Sequence, residues 1–163
     1  MTSLAVVAQK HLPILSDAWR PNGVTIKLPF PPAALFPNRA SGKHWGSLYK
    51  VKQAYKEDCW LLTLASVSDF MPKGDIRITL IYVMPDKRHR DADNCLAASK
   101  AGLDGVAQAL KVDDKRFQPI TVYRIPGVKP GCLIVQLEDT NESEIHAEFT
   151  DTSDPGEPTS DAS

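Results

Sequence analysis

Two aspartates one residue apart, Asp91 and Asp93, stand directly before a helical pattern, and an adjacent pair, Asp113 and Asp114, stands directly after it. In an extended segment residues i and i+2 point the same way, so Asp91 and Asp93 are expected to present their carboxylates side by side. Two or three carboxylates, together with phosphate oxygens and water, make the hard-oxygen shell that magnesium takes at phosphoryl-transfer centres. The obvious source of a third carboxylate is Asp113-Asp114, provided the chain folds back after the helix to lie beside the strand end. Lys100 comes seven residues after Asp93, four after Leu96 and three before Leu103, which places it on the stripe of the helix expected to be apolar. From there a flexible ammonium could reach back two helical turns toward a metal or a scissile phosphate. Lys87, Arg88, His89 and Arg90 directly precede the acids, where bases can grip phosphates flanking a cut and offset carboxylate repulsion.

Each of these residues also has an ordinary explanation. Residues 91–94 could cap a helix, Asp113-Asp114 could form a turn, and Lys100 could pair with Asp104 or extend to the surface. Two rival motifs fail. A calcium loop of the EF-hand type beginning at Asp91 needs glycine where Leu96 stands. A sugar-nucleotide transferase with an Asp-x-Asp site usually needs a chain much longer than 163 residues.

The elements that must position these groups are readable from periodicity. Residues 24–28 alternate as a strand and stop at Pro29, Pro31 and Pro32. Asn38, Arg39, Ser41, Gly42, Lys43 and His44 give a polar basic loop, followed by a helix to about residue 65 with Leu48, Val51, Tyr55, Cys59 and Leu62 on one face. Its other face carries Lys50, Lys52 and Lys56, for which a solvated surface is the ordinary reading and a phosphate-contacting face the alternative. Ile76, Ile78, Leu80, Tyr82 and Met84 alternate in a strand apolar enough on both sides to be central, and Pro85 ends it. Leu96, Leu103, Ala107 and Leu110 mark the second helix. Strands at 120–125 and 132–138 flank Pro126, Gly127, Pro130 and Gly131 and are expected to pair as an antiparallel hairpin.

Of the 163 residues 42% are hydrophobic, enough for the core of one domain. That domain is expected over 24–138, between an N-terminal arm at 1–23 and an acidic, disordered tail at 139–163. The tail holds eight of the twenty acids and no Lys or Arg, which leaves twelve acids against nineteen bases before it, a balance of +7 suited to a polyanionic partner. Cys59, Cys95 and Cys132 are too few and too widely spaced for a disulfide framework or a CxxC zinc site, so reduced thiols are expected. The first twenty residues contain Lys10, His11, Pro13, Asp17 and Arg20, so neither a secretory leader nor a membrane span is expected, and a cytoplasmic location follows.

Taken together, LPFPP (28–32), MPDKRHRDADN (84–94), KAGLDGV (100–106) and VDD (112–114) resemble the RusA family of Holliday-junction resolvases over about residues 24–138. The resemblance implies an α+β domain with a mixed β-sheet and two main helices, assembled as a homodimer. It implies an endodeoxyribonuclease that uses magnesium, with manganese as a substitute ion, and resolves four-way branched DNA by paired phosphodiester hydrolysis. The family's essential acids fall on Asp91, Asp93 and Asp114 and its catalytic lysine on Lys100, while Asp113 has a weaker claim. DNA contacts are expected from Lys87, Arg88 and Arg90. This chain departs from the family by about three extra residues between Asn94 and Lys100, a change that keeps the lysine on the same helical face. A nuclease for flaps or forks and a junction-binding protein without turnover are the alternatives.

Overall fold

The computed structural model describes residues 23–40, 45–127 and 129–140. Its organising strand is β2, Asp75–Val83, whose sequence DIRITLIYV carries β-branched residues toward both faces. β2 is paired on both edges, antiparallel with β4 (Cys132–Thr140) and parallel with β3 (Phe117–Ile125). β1 (Gly23–Pro29) pairs antiparallel with β4, so the four-stranded sheet has the order β1-β4-β2-β3. The sheet is mixed and β2 is interior, as two-sided apolar character requires.

The antiparallel hairpin expected between β3 and β4 does not form. β3 pairs with β2 alone, and β4 inserts between β2 and β1. The connection between them crosses the end of β2 so closely that side chains are excluded. A Cβ on Gly127 would lie 2.5 Å from Val83 Cγ1, and one on Gly131, whose φ is +73, would lie 2.7 Å from the Val83 carbonyl oxygen. The Pro-Gly cluster therefore marks a crossover, which local turn chemistry does not distinguish from a tight turn.

Three helices complete the domain: a single turn α1 (Pro37–Ala40), then α2 (Trp45–Ser66) and α3 (Ala92–Leu110). α1, with a 3-10 turn at Ala33–Leu35 before it, occupies part of the stretch expected to be loop, of which residues 41–44 lie outside the described residues. Tyr55 and Cys59 of α2 and Cys95, Ala98 and Val106 of α3 pack with Ile26, Leu80, Tyr82 and Val135 in one core. α2 keeps the expected stripe as far as Cys59 and then departs from it. Thr63 is buried and Leu62 is 40% exposed. The threonine is tolerated because its hydroxyl donates to the Cys59 carbonyl at 2.7 Å.

α2 and α3 approach through glycine. A Cβ on Gly102 would meet the Tyr55 ring at 2.7 Å, and one on Gly105 would lie 2.3 Å from the Lys56 carbonyl oxygen. Because that neighbour is backbone, Gly105→Ala must push the helices apart. It should lower stability by roughly 1–3 kcal/mol, read as a shifted urea midpoint; an unshifted midpoint would contradict the close contact.

α3 ends at Lys111, in the left-handed region at φ 56, with its N–H bonded to Ala107 O and Gln108 O. The chain then returns to the beginning of β2, where Phe117 pairs with Ile76, and runs parallel until Ile125 pairs with Val83. β4 continues to Thr140, two residues beyond the expected domain end. Asp139, counted among the tail acids, accepts from Lys73 N at 3.0 Å and Gly74 N at 2.9 Å and belongs to the fold. Residues 1–22 and 141–163, and with them the expected arm and the other tail acids, lie outside the described residues. Among the described residues no helix is long and apolar enough to cross a membrane. Cys59, Cys95 and Cys132 are free thiols.

Candidate active site

The two leading acids do not sit side by side on an extended segment. α3 already includes Ala92, so Asp91 takes the N-cap position and Asp93 lies in the first helical turn. Asp93 lines a groove beside α3, and Asp91 does not. Asp91 nevertheless makes no side-chain capping bond, and His89 Nδ1 stands 3.5 Å from its Oδ1. The capping explanation therefore leaves this carboxylate unused. Asp113 does act locally, accepting from Lys115 N at 3.0 Å to cap the 3-10 turn Asp114–Arg116.

Lys100 is not on the buried stripe of α3, which runs through Cys95, Ala98, Ser99, Gly102 and Val106. Its side chain is 70% exposed. The small side chains of that stripe admit β2 and α2 closely, and the apolar Leu96 beside Lys100 is itself only partly buried. The ammonium lies 3.0 Å from Asp114 Oδ2 and 3.6 Å from Asp104 Oδ1. The hydrogen bond to Asp114 raises the pKa of Lys100, and the same bond holds the Asp114 carboxyl below its ordinary value. Lys100 thus reaches an acid as expected, from an exposed face, and the local pairing with Asp104 forms as well.

Asp93, Lys100, Asp104 and Asp114, with Phe117 and Ile120 of the edge strand β3, line a groove of about 340 Å³ beside α3. Asp91 is not part of that lining. Two helical turns, roughly 10 Å, separate Asp93 from the level at which Lys100 meets Asp114. The chain after α3 does not fold back beside the C-terminal end of β2, because the parallel register starts β3 beside the first residues of β2. Accordingly, among the described residues no three His, Cys, Asp or Glu side chains gather closely enough to hold one ion.

Arg90, expected to contact DNA, is engaged within the protein. Its two terminal nitrogens donate to Asp86 Oδ1 at 2.8 Å and Oδ2 at 2.9 Å, and its guanidinium lies 5.5 Å from the Phe30 ring centroid and 5.8 Å from that of Phe36. The Arg90 bonds, helped by the Arg88 N–H, hold the Asp86 carboxyl well below the usual carboxylate range. Arg124 donates to the Arg90 carbonyl oxygen. This clamp gives Phe30 of LPFPP its purpose, since it ties the end of β1 to the loop that carries the basic run. Lys87 and Arg88 keep exposed side chains.

Three positioning groups escaped the sequence reading. Arg116 Nε donates to Gly74 O and its Nη2 to Pro72 O, both at 3.0 Å, anchoring the turn that carries Asp114 to the loop before β2. Tyr82 OH and Ser99 Oγ share a buried hydrogen bond of 2.8 Å that fixes α3 to β2 next to Lys100. Asp86 is the third; its one signal in the sequence is an i,i+4 spacing to Arg90, which is common in any charged loop.

A mixed sheet with helices packed on it, and a groove along the crossover helix whose apolar floor is edged by carboxylates and a lysine, define the class: a single α+β domain with a charge-rimmed surface groove. No family model matches the chain. Over 121 residues, 68% of this chain and 92% of the relative, it is 33% identical to the crossover junction endodeoxyribonuclease rusA of Enterobacteria phage HK97. The chain belongs to the RusA family of crossover junction endodeoxyribonucleases.

Proposed function

We propose that this protein is a magnesium-dependent endodeoxyribonuclease that resolves four-way DNA junctions by paired phosphodiester hydrolysis, working as a homodimer. The phage HK97 relative is named as a crossover junction endodeoxyribonuclease. The observation that carries the reading for this chain is the shared groove, in which Asp93 and Asp114 flank Lys100.

Asp91, Asp93 and Asp114 would hold one or two magnesium ions, with manganese able to replace magnesium on the same oxygens. The donor set fits, because all three are hard carboxylates and Asp91 is not spent on capping. Magnesium commonly takes one or two protein carboxylates, completing its shell with water and substrate phosphate, so a closed cage of three side chains is not required. Once bound, the ion would polarise the phosphate and acidify a nearby water. The chain's own residues would do the rest. Lys100, held in its charged form, would transfer its hydrogen bond from Asp114 to a phosphate or leaving oxygen as negative charge builds there. The exposed Lys87 and Arg88 would grip flanking phosphates while the Arg90–Asp86 clamp keeps their loop in place. No histidine is needed as a base.

One chain supplies one set of acids, whereas resolving a junction takes two cuts related by symmetry, and a closed two-fold pair supplies both. Mixing wild-type subunits with Asp93→Asn subunits on a supercoiled cruciform plasmid tests this directly. Heterodimers should nick one strand and leave the other whole. Abundant linear product from heterodimers, or a sedimenting monomer that resolves junctions, would overturn the paired-site reading. Cutting confined to flaps or forks would instead redirect the substrate.

A further inference from the structure

Among the described residues, two aromatics at the start of α2 join neither hydrophobic core. Trp45 is 77% and Tyr49 50% exposed, and their rings stack on each other with centroids 5.7 Å apart and planes 23° from parallel. Contiguous apolar surface rimmed by polar residues marks interaction sites. The helical spacing continues the feature. Trp45, Tyr49, Lys52 and Lys56 follow one another at steps of four, three and four, so they share a single stripe, which adjoins the one that carries Leu48, Val51 and Tyr55 and meets α3 at Lys56. Residues 45–56 contain three lysines and no acid.

The stripe also lies at a telling end of the molecule. Gly102 faces Tyr55 and Cys59 while Gly105 faces Lys56 and Trp60, so the numbering of α2 and α3 rises together and the two helices run the same way. Counting back from that contact, Trp45 lies ten residues before Tyr55, and Asp93 lies nine before Gly102. The aromatic pair and the leading acids therefore sit at the same end of the helical layer. Aromatic rings stack on bases irrespective of sequence, and lysines alongside hold the backbone. Duplex DNA hides its base faces, whereas a branch point exposes them.

We infer that Trp45 and Tyr49 form a base-stacking platform that engages the bases opened at a DNA branch point, with Lys52 and Lys56 gripping the adjoining backbone. The inference rests on the proposed branched-DNA substrate and assigns the groups that would tell a junction from a duplex. The test is a W45A/Y49A double variant of the full chain, with binding to a four-way junction and to duplex DNA measured in chelator so that nothing is cut. Junction affinity should fall roughly tenfold or more, and duplex affinity by less than about twofold. W45F/Y49F should retain the preference, and 2-aminopurine at the branch point should be quenched by wild type but not by the alanine variant. Unchanged junction affinity, or an equal loss on duplex, overturns the platform. So does a loss of dimer in sedimentation, which would make the pair a contact between copies. Should wild type itself bind junction and duplex alike, the substrate reading fails, a result distinct from a wild-type preference that survives in the alanine variant.

Discussion

Replacing Asp91, Asp93 or Asp114 by Asn should abolish magnesium-dependent cutting of a four-way junction while leaving junction binding intact. Each change removes ligand charge but almost no volume, and all three sites lie on the surface, so folding has little reason to respond. Asp114→Asn has a second consequence. It takes the negative charge from the partner 3.0 Å from Lys100, leaving Asp104, at 3.6 Å, as the nearest acid. Gel-shift binding in calcium, set beside single-turnover cutting in magnesium, separates the two properties. Full activity in excess chelator, or in any two of the three variants, would sink the metal assignment.

Lys100→Met, which keeps the apolar stem, should slow cutting by roughly two orders of magnitude if the ammonium stabilises charge in the transition state. The same variant reports on the ion pair. Lys100 depresses the Asp114 carboxyl, so removing it should let that carboxyl titrate at higher pH, toward the ordinary value. The sign follows from the depression: the pair's contribution is present above the ordinary carboxylate value and is lost as pH falls through the lowered one. Both groups are open to solvent, so the melting transition should hardly move while the Asp114 resonance in the metal-free protein shifts clearly. Cutting at the parental rate would reduce Lys100 to a surface ion pair.

Local pattern alone determined a good deal about this protein. The two-sided apolar character of 76–84 announced an interior strand, the spacing of Leu48, Val51, Tyr55 and Cys59 announced α2, and the order of LPFPP, DADN and VDD pointed to the family before any fold was known. These features are set by a period or a short motif, which the chain carries in every context. Tertiary structure decided the rest. Whether 126–131 turns back or crosses over depends on how closely glycine can pass the end of β2, so the expected hairpin became a crossover. The face that α3 buries was decided by the tight approach of α2 and β2, which favoured Cys95, Ala98, Ser99 and Gly102 and turned Lys100 outward. Asp91 and Asp93 do not share an extended segment, because α3 begins at Ala92 and takes in Asp93. Arg90, a plausible phosphate ligand by sequence, was claimed by Asp86, Phe30 and Phe36. Sequence names the groups able to do the chemistry; which of them meet depends on long-range packing, where a single close contact outweighs local preference.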